Sequence, residues 1–133
     1  MKTSPICLIA LTTALLSGAA LADSKCSDVN IQITNDYRDP VTNAQVDIKV
    51  VDFEYWDKED NKWRGESTTN KRIDPGQTGI WNKALEYVGG ESGVKLKVYF
   101  KYEQAGGGWS TEHSQQSGSF TCIDGMVVAV DIS

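Results

Sequence analysis

The chain has 133 residues, of which 40% are hydrophobic and 23% charged, with 13 basic and 18 acidic side chains. This composition is typical of one globular domain and excludes a disordered or fibrous chain. The formal charge of −5 argues against a nucleic-acid-binding protein, because neutralising phosphates requires a basic surface.

Residues 1–22 have the features of a secretory signal peptide. Lys2 supplies a positive N-terminal charge, residues 6–16 are apolar, and residues 20–22 form a small-x-small cleavage site. The apolar run is shorter than the ~20 residues that cross a bilayer, so no transmembrane segment is expected after cleavage. We therefore predict a secreted or periplasmic protein with a single domain, residues 23–133, which carries 12 basic and 18 acidic side chains.

Two cysteines, Cys26 and Cys122, remain in the mature chain, because Cys7 leaves with the signal peptide. An even pair in an exported chain predicts a disulfide bond. Zinc sites need more closely spaced ligands and His113 is the single histidine, so we predict no metal and no cofactor. The disulfide would bring the first strand beside residues 120–123 and join the two ends of the chain.

The first part of the mature chain alternates apolar and polar residues, which is typical of β-strands. Residues 29–34 predict a first strand, and residues 35–40 predict a turn that ends at a proline. In the next segment, apolar residues occupy even positions up to Val50 and odd positions from Val51 onward. A change of phase without a turn predicts a β-bulge, or a bend at which the strand changes sheets.

The middle of the chain contains further strands separated by turns. Residues 57–62 (DKEDNK) predict an exposed loop, and Trp63 begins the returning strand. Residues 73–76 predict a tight turn before a strand over residues 78–85. Residues 82–88 are the only segment that resembles a helix, and they are too short to be stable without tertiary support.

The clearest strand covers residues 94–102, where apolar residues alternate with lysines. A glycine-rich link precedes residues 109–113, where an extended segment resumes. Residues 120–123 and 126–132 flank Asp124-Gly125, a pair favoured in tight hairpins.

About seven or eight short strands, with turns about every 8–12 residues, predict an all-β fold. We expect an antiparallel β-sandwich with Greek-key connections, and a small closed β-barrel is the alternative. The two cysteines of the mature chain are too far apart for the immunoglobulin pattern, so the fold class carries no family assignment.

The sequence predicts no enzyme. His113 has no nucleophile motif before it, and both mature cysteines are expected to be oxidised. Asp52 and Glu54 alternate with apolar residues, which places them on the solvated face of a strand. A small carboxylate-based hydrolase is therefore the least supported function.

The acidic loop at residues 57–62 supplies three candidate binding residues, Asp57, Glu59 and Asp60. Such a loop could plug the cleft of a basic enzyme, and its charge would speed association. Asp57, Glu59 and Asn61 also carry the hard oxygen atoms that calcium prefers, but the EF-hand spacing is not met. Ordinary polar turn chemistry is the favoured interpretation of the loop, with calcium left as the alternative.

Three aromatic residues, Trp56, Tyr99 and Trp109, are candidates for a binding face. Trp56 and Tyr99 are out of phase with the apolar positions of their strands, and Trp109 follows three glycines. We expect at least two of the three side chains to be exposed on a common face. Exposed aromatic rings stack on sugars or anchor protein interfaces.

Together these features predict an exported, non-enzymatic binding module that recognises a protein or a glycan. An inhibitor or immunity-type protein that uses the acidic loop is a variant of this hypothesis. The alternative is a secreted membrane-active β-protein, although anionic lipids repel an acidic chain.

Overall fold

The computed structural model describes residues 24–133, which form eight β-strands arranged in two packed sheets. The predicted signal peptide lies outside these residues. Within them, no helix is long and apolar enough to cross a membrane. The strands are β1 (Cys26–Asn35), β2 (Ile48–Asp57), β3 (Lys62–Glu66), β4 (Lys71–Ile73), β5 (Thr78–Leu85), β6 (Leu96–Tyr102), β7 (His113–Gln116) and β8 (Val127–Ile132).

The two sheets confirm the predicted β-sandwich, and the alternative of a closed barrel is wrong. The larger sheet has the order β3-β2-β6-β7, with β4 also paired to β2, and the smaller sheet has the order β5-β1-β8. β1 and β8 pair in parallel, whereas the other strand pairs are antiparallel. Two parallel neighbouring strands need a long connection between them. Here the chain between β1 and β8 forms this connection, and it contains every strand of the larger sheet.

The core lies between the sheets because alternate residues of each strand point inward. Ile31 and Ile33 of β1 are fully buried, as is Phe53 of β2. Phe53 contacts Trp81 of β5 edge-to-face, with ring centroids 5.2 Å apart, so the aromatic pair joins the two sheets. Burying one large apolar side chain stabilises a domain by about 1.5–3 kcal/mol, and this inward set accounts for the packing of the sheets.

The predicted change of phase in β2 is a β-bulge. Val50 lies opposite Phe100 of β6, but the next paired residue, Asp52, lies opposite Tyr99, so Val51 is the extra residue. The bulge also divides β2 between two neighbours, since β4 pairs before it and β3 after it. Without the extra residue, the apolar side chains on the two sides of the bulge would point to opposite faces.

Cys26 and Cys122 form the predicted disulfide, with their Cα atoms 6.0 Å apart and a sequence separation of 96. Both are fully buried. In the chain-entropy model, closing so long a loop stabilises the folded state by roughly 4–5 kcal/mol. The bond is compatible with an oxidising compartment outside the cytosol.

The predicted hairpin at residues 124–125 is wrong, because long-range pairing overrides the local signal, and long-range pairing also decides the structure of residues 82–88. Residues 124–125 form a tight turn, but Phe120 pairs with Val94 and β8 pairs with β1, so the turn joins no hairpin. The Gly125 N–H donates to the Ser27 carbonyl and the Ser27 N–H donates to the Asp124 carboxylate, and these two bonds hold the turn against β1 instead. Residues 82–88 are not helical, since their first half completes β5 along β1 and a turn follows.

Candidate binding face of the larger sheet

The solvent-facing side of the larger sheet, called here the outer face, carries the three aromatic candidates. Trp56 alternates with buried residues of β2, and Tyr99 lies between buried Val98 and Phe100 of β6. Both rings therefore point away from the core. Each is half-buried by neighbours on the same face, so they are less exposed than expected.

A fourth aromatic residue, Trp63, completes one end of the outer face. Trp63 lies directly opposite Trp56 on β3, and their ring centroids are 5.4 Å apart. Lys97 of β6 places its Nζ 3.9 Å from the centre of the Trp63 ring. The sequence interpretation missed Trp63, although pairing the two strands across the acidic loop would have placed it beside Trp56.

Glu54 links the middle of the face to this aromatic end. The Tyr99 hydroxyl donates a hydrogen bond to the Glu54 carboxylate, and the Lys97 Nζ lies 3.9 Å from the same carboxylate. This hydrogen bond, with burial and the negative charge of Glu54, raises the pKa of Tyr99 to about 12. Gly65 lies opposite Glu54 on β3, where a Cβ would meet nothing within 4 Å, so the space beside Glu54 stays open.

Trp109 occupies the other end of the outer face. Its ring contacts two cations, the Lys49 Nζ at 4.7 Å and the Arg72 guanidinium at 5.1 Å from the ring centre. Gly107 and Gly108 adopt positive φ angles of 92° and 78° just before it, a conformation that glycine adopts without strain. The ring is half-buried, like the other candidates.

The two aromatic ends are separated along β2 by the residues from Lys49 to Trp56. At about 3.3 Å per residue, this segment spans roughly 20 Å. Tyr99 lies between the ends on the neighbouring strand. The outer face therefore presents an elongated strip of rings with charged and hydrogen-bonding groups between them.

The acidic loop is built differently from the binding loop that was expected. Asp57 is 1% exposed, and its carboxylate lies 2.7 Å from the Arg64 Nε. Its Oδ1 accepts a hydrogen bond from the Asp60 backbone N–H at 3.2 Å, and the Asp60 carboxylate also binds Arg64. Burial raises the pKa of Asp57, but the bonds from Arg64 and from the loop outweigh burial and lower it. Asp57 therefore supports the loop from within, and Glu59 stays exposed to solvent.

Glu91, which the sequence interpretation overlooked, supports the same loop from the opposite side. It is 8% exposed, and its carboxylate accepts backbone hydrogen bonds from Lys58 at 3.1 Å and Glu59 at 3.2 Å. Burial, together with the nearby Asp57 charge, raises the pKa of Glu91. The loop is thus held by two carboxyl groups, Asp57 with a lowered pKa and Glu91 with a raised pKa.

Within residues 24–133, no group of three histidine, cysteine or carboxylate side chains converges as a metal site would require. His113 is exposed and contacts the rings of Phe100 and Tyr102 at the end of the sheet. Asp52 is exposed, and its carboxylate accepts the backbone N–H of Phe53 at 2.9 Å. These contacts explain both side chains as parts of a folded sheet.

Comparison of the chain with protein-family models, curated proteins and solved structures gives no match. Any functional assignment therefore rests on the residues of this chain.

Proposed function

We propose that this protein is an exported, non-enzymatic module that binds a glycan along the outer face of its larger sheet. The observation that supports it is the arrangement of Trp56, Trp63, Tyr99 and Trp109 on that single face. These rings contribute little to the core, which is filled by the inward-facing residues. The buried disulfide is in keeping with export.

A glycan suits the chemistry of this face better than a protein does. The centres of protein interfaces are depleted of lysine and glutamate, and their rings fill water-excluding pockets. Here Lys97 and Glu54 lie among the rings of the strip, and Lys49 contacts Trp109. A pyranose presents apolar C–H faces flanked by hydroxyl groups, so rings with donors and acceptors between them match its surface.

The acidic loop lends less support to an inhibitor function. Asp57 is buried and the exposed Asp60 is bound to Arg64, which leaves Glu59 as the one of the three candidates that is both exposed and outside an ion pair. Association steered by an acidic plug needs accessible charge.

The test is a glycan array probed with the mature protein, followed by titration of the strongest hit with tryptophan fluorescence. Trp63→Ala and Trp109→Ala should each weaken binding by about 2 kcal/mol, roughly thirtyfold, if both rings anchor the ligand. Tyr87→Ala is the matched control, because Tyr87 is an exposed aromatic residue that contacts Arg64 beside the acidic loop. An array without hits, or equal affinity of all three variants, would contradict the proposal.

A further inference from the structure

Three cations form a row across three adjacent strands of the outer face. Lys49 of β2 lies directly opposite Arg72 of β4 on one side and Lys101 of β6 on the other. Directly opposite residues have Cβ atoms about 5 Å apart, and like charges at that distance destabilise a sheet. The row therefore lowers the stability of the sheet, so the folding of the protein does not by itself explain why these three cations lie together.

Only one member of the cationic row is neutralised. Arg72 binds Asp47 and Glu103, each at 2.5 Å. Neither Lys49 nor Lys101 has a carboxylate within 4.0 Å among residues 24–133, and both side chains are half-buried. Two half-buried lysines therefore lie side by side on the outer face, and neither is paired with a carboxylate of residues 24–133.

The carboxylates of the strip are engaged elsewhere. Glu54 holds the Tyr99 hydroxyl and Lys97, and the Asp52 carboxylate accepts a backbone N–H. Glu112 lies near Tyr99, whose pKa it helps to raise, and it forms no ion pair with Lys101. No rearrangement among these contacts is needed for Lys49 and Lys101 to receive an external anion.

One of the two unpaired lysines contacts an aromatic ring at one end of the strip, and a further unpaired lysine lies at the other end. Lys49 contacts the Trp109 ring. At the far end, Lys95 lies just before β6 between buried Val94 and Leu96, so it points to the outer face, and its backbone C=O accepts a hydrogen bond from the Trp56 N–H. Lys95 likewise has no carboxylate within 4.0 Å in the described chain.

We infer that the ligand is an acidic polysaccharide, whose carboxylate or sulfate groups bind Lys49 and Lys101 beside Trp109 while further charged units reach Lys95. This inference rests on the proposed function and names its ligand class. A neutral glycan would leave the lysines unpaired, whereas a repeating acidic sugar supplies a ring face and a negative charge together. Hydrogen bonds to charged groups are about twice as strong as neutral ones.

The experiment compares polysaccharides that share a backbone and differ in charge. The mature protein is titrated at low salt with polygalacturonate, hyaluronate and dextran sulfate, and with the methyl esters of the first two and unsulfated dextran. At least one acidic polymer should bind about tenfold or more tightly than its neutral partner, with an affinity that falls as salt rises.

Variants then locate the charge recognition. Lys49→Gln and Lys101→Gln should each weaken binding of the acidic polymer by about tenfold, which is more than they weaken binding of its neutral partner. Lys25→Gln is the charge-matched control, because Lys25 is exposed and lies next to the disulfide in the chain. The affinity of Lys25→Gln should stay within about twofold of the parent, as expected for a surface charge that precedes a strand of the other sheet.

The outcomes separate this inference from the proposed function. Equal affinity for every acidic and neutral pair, with binding still lost in Trp63→Ala and Trp109→Ala, would overturn the inference and leave the proposed function standing. Equal binding of poly-glutamate and the best acidic polysaccharide would also overturn it, because charge alone would then suffice. An array without hits, and no binding of any of the six polymers, would overturn both.

Discussion

Buried Asp57 and partly buried Arg64 form an ion pair, with 2.7 Å between Oδ2 and Nε, at the point where β2 ends and the acidic loop begins. Asp57 is the last residue of β2, and Arg64 lies on the returning strand β3. The same guanidinium binds Asp60, which is largely exposed. One cation therefore ties the end of the sheet to the loop that follows it.

The buried member of this network should contribute most to stability. We expect Asp57→Asn to lower the free energy of unfolding by about 2 kcal/mol, because it removes a hydrogen-bonded charge from a buried position. Asp60→Asn is the control, since Asp60 binds the same Arg64 from an exposed site and should cost less than about 1 kcal/mol. Urea unfolding at neutral pH measures both values. Equal losses in the two variants would contradict the assigned roles.

The Asp57 effect should also depend on pH in a defined direction. The folded state lowers the pKa of this carboxyl below its ordinary value of 3.8. The stabilisation is therefore fully present above that value and is lost as pH falls through the lower folded pKa. The difference between the parent and Asp57→Asn should shrink in acid, and a difference that grows there would contradict the prediction.

Glu91 should give the opposite dependence. Burial raises its pKa above the ordinary 4.5, so above pH 4.5 the folded state holds this proton more tightly than the unfolded state does. The stability contributed by Glu91 is thus fully present below pH 4.5 and falls as pH rises through the folded pKa. Glu91→Gln removes this titration and keeps one of the two oxygen atoms that accept the Lys58 and Glu59 N–H groups, so its pH-independent cost is the same at every pH.

Urea unfolding of the parent and of Glu91→Gln, at steps from about pH 4.5 to neutral, measures that difference. The parent should lose stability relative to the variant as pH rises across this range. Glu86→Gln is a control at an exposed acidic position of the same segment. A constant difference between the parent and Glu91→Gln would show that the carboxyl titrates alike in both states.

The hydrogen bond between Tyr99 and Glu54 can be measured directly by titration. The tyrosinate absorbance of the parent, minus that of Tyr99→Phe, should report a group with a pKa of about 12. Glu54→Gln removes the charged acceptor that stabilises the protonated phenol, so the pKa of Tyr99 should fall toward its ordinary 10.0. Lys101→Gln on the same face leaves Glu54 in place and serves as the control. A Tyr99 pKa near 10.0 in the parent would contradict the described contact.

Several features of the fold could be predicted because they depend on the local alternation of apolar and polar residues or on residue counts. The β-sandwich followed from period-two segments, and the cysteine count identified the Cys26–Cys122 bond. Asp57 lies two residues after Tyr55 and four after Phe53, so strict alternation along β2 places its side chain on the inner face. Its position before a loop suggested exposure instead. The parallel pairing of β1 with β8 carried no local signal, because it depends on how the whole intervening chain crosses the sandwich.

The candidate face was predictable only in part. Alternation within one strand selected Trp56 and Tyr99, since each needs only its own neighbours to define its side of the sheet. Lys49, Arg72 and Lys101 become a row only when three strands are aligned, and β4 and β2 are joined by no hairpin that would fix this register. Binding sites assembled across strands therefore depend on registers that a single sequence does not display.

The bulge at Val51 should be indispensable for this arrangement. Deleting Val51 would align β2 with β6 without a bulge, so Ile48 and Val50 could no longer share the inner face with Phe53. Exposing two such apolar side chains costs about 3–6 kcal/mol, a large share of the roughly 5–15 kcal/mol that stabilises a domain. We expect the deletion variant to be mostly unfolded or to melt at a much lower temperature.

A substitution at the same position separates the effect of a changed strand register from the effect of losing the valine side chain. Val51 is half-buried, so Val51→Thr keeps the extra residue and should reduce stability by no more than about 1 kcal/mol. Circular dichroism and thermal unfolding compare the two variants with the parent. A deletion variant with the parental Tm would contradict this prediction. It would mean that β2 can pair with β6 without the extra residue and still keep its apolar side chains inside, so the bulge would have no part in placing Lys49 and Trp56 on one face.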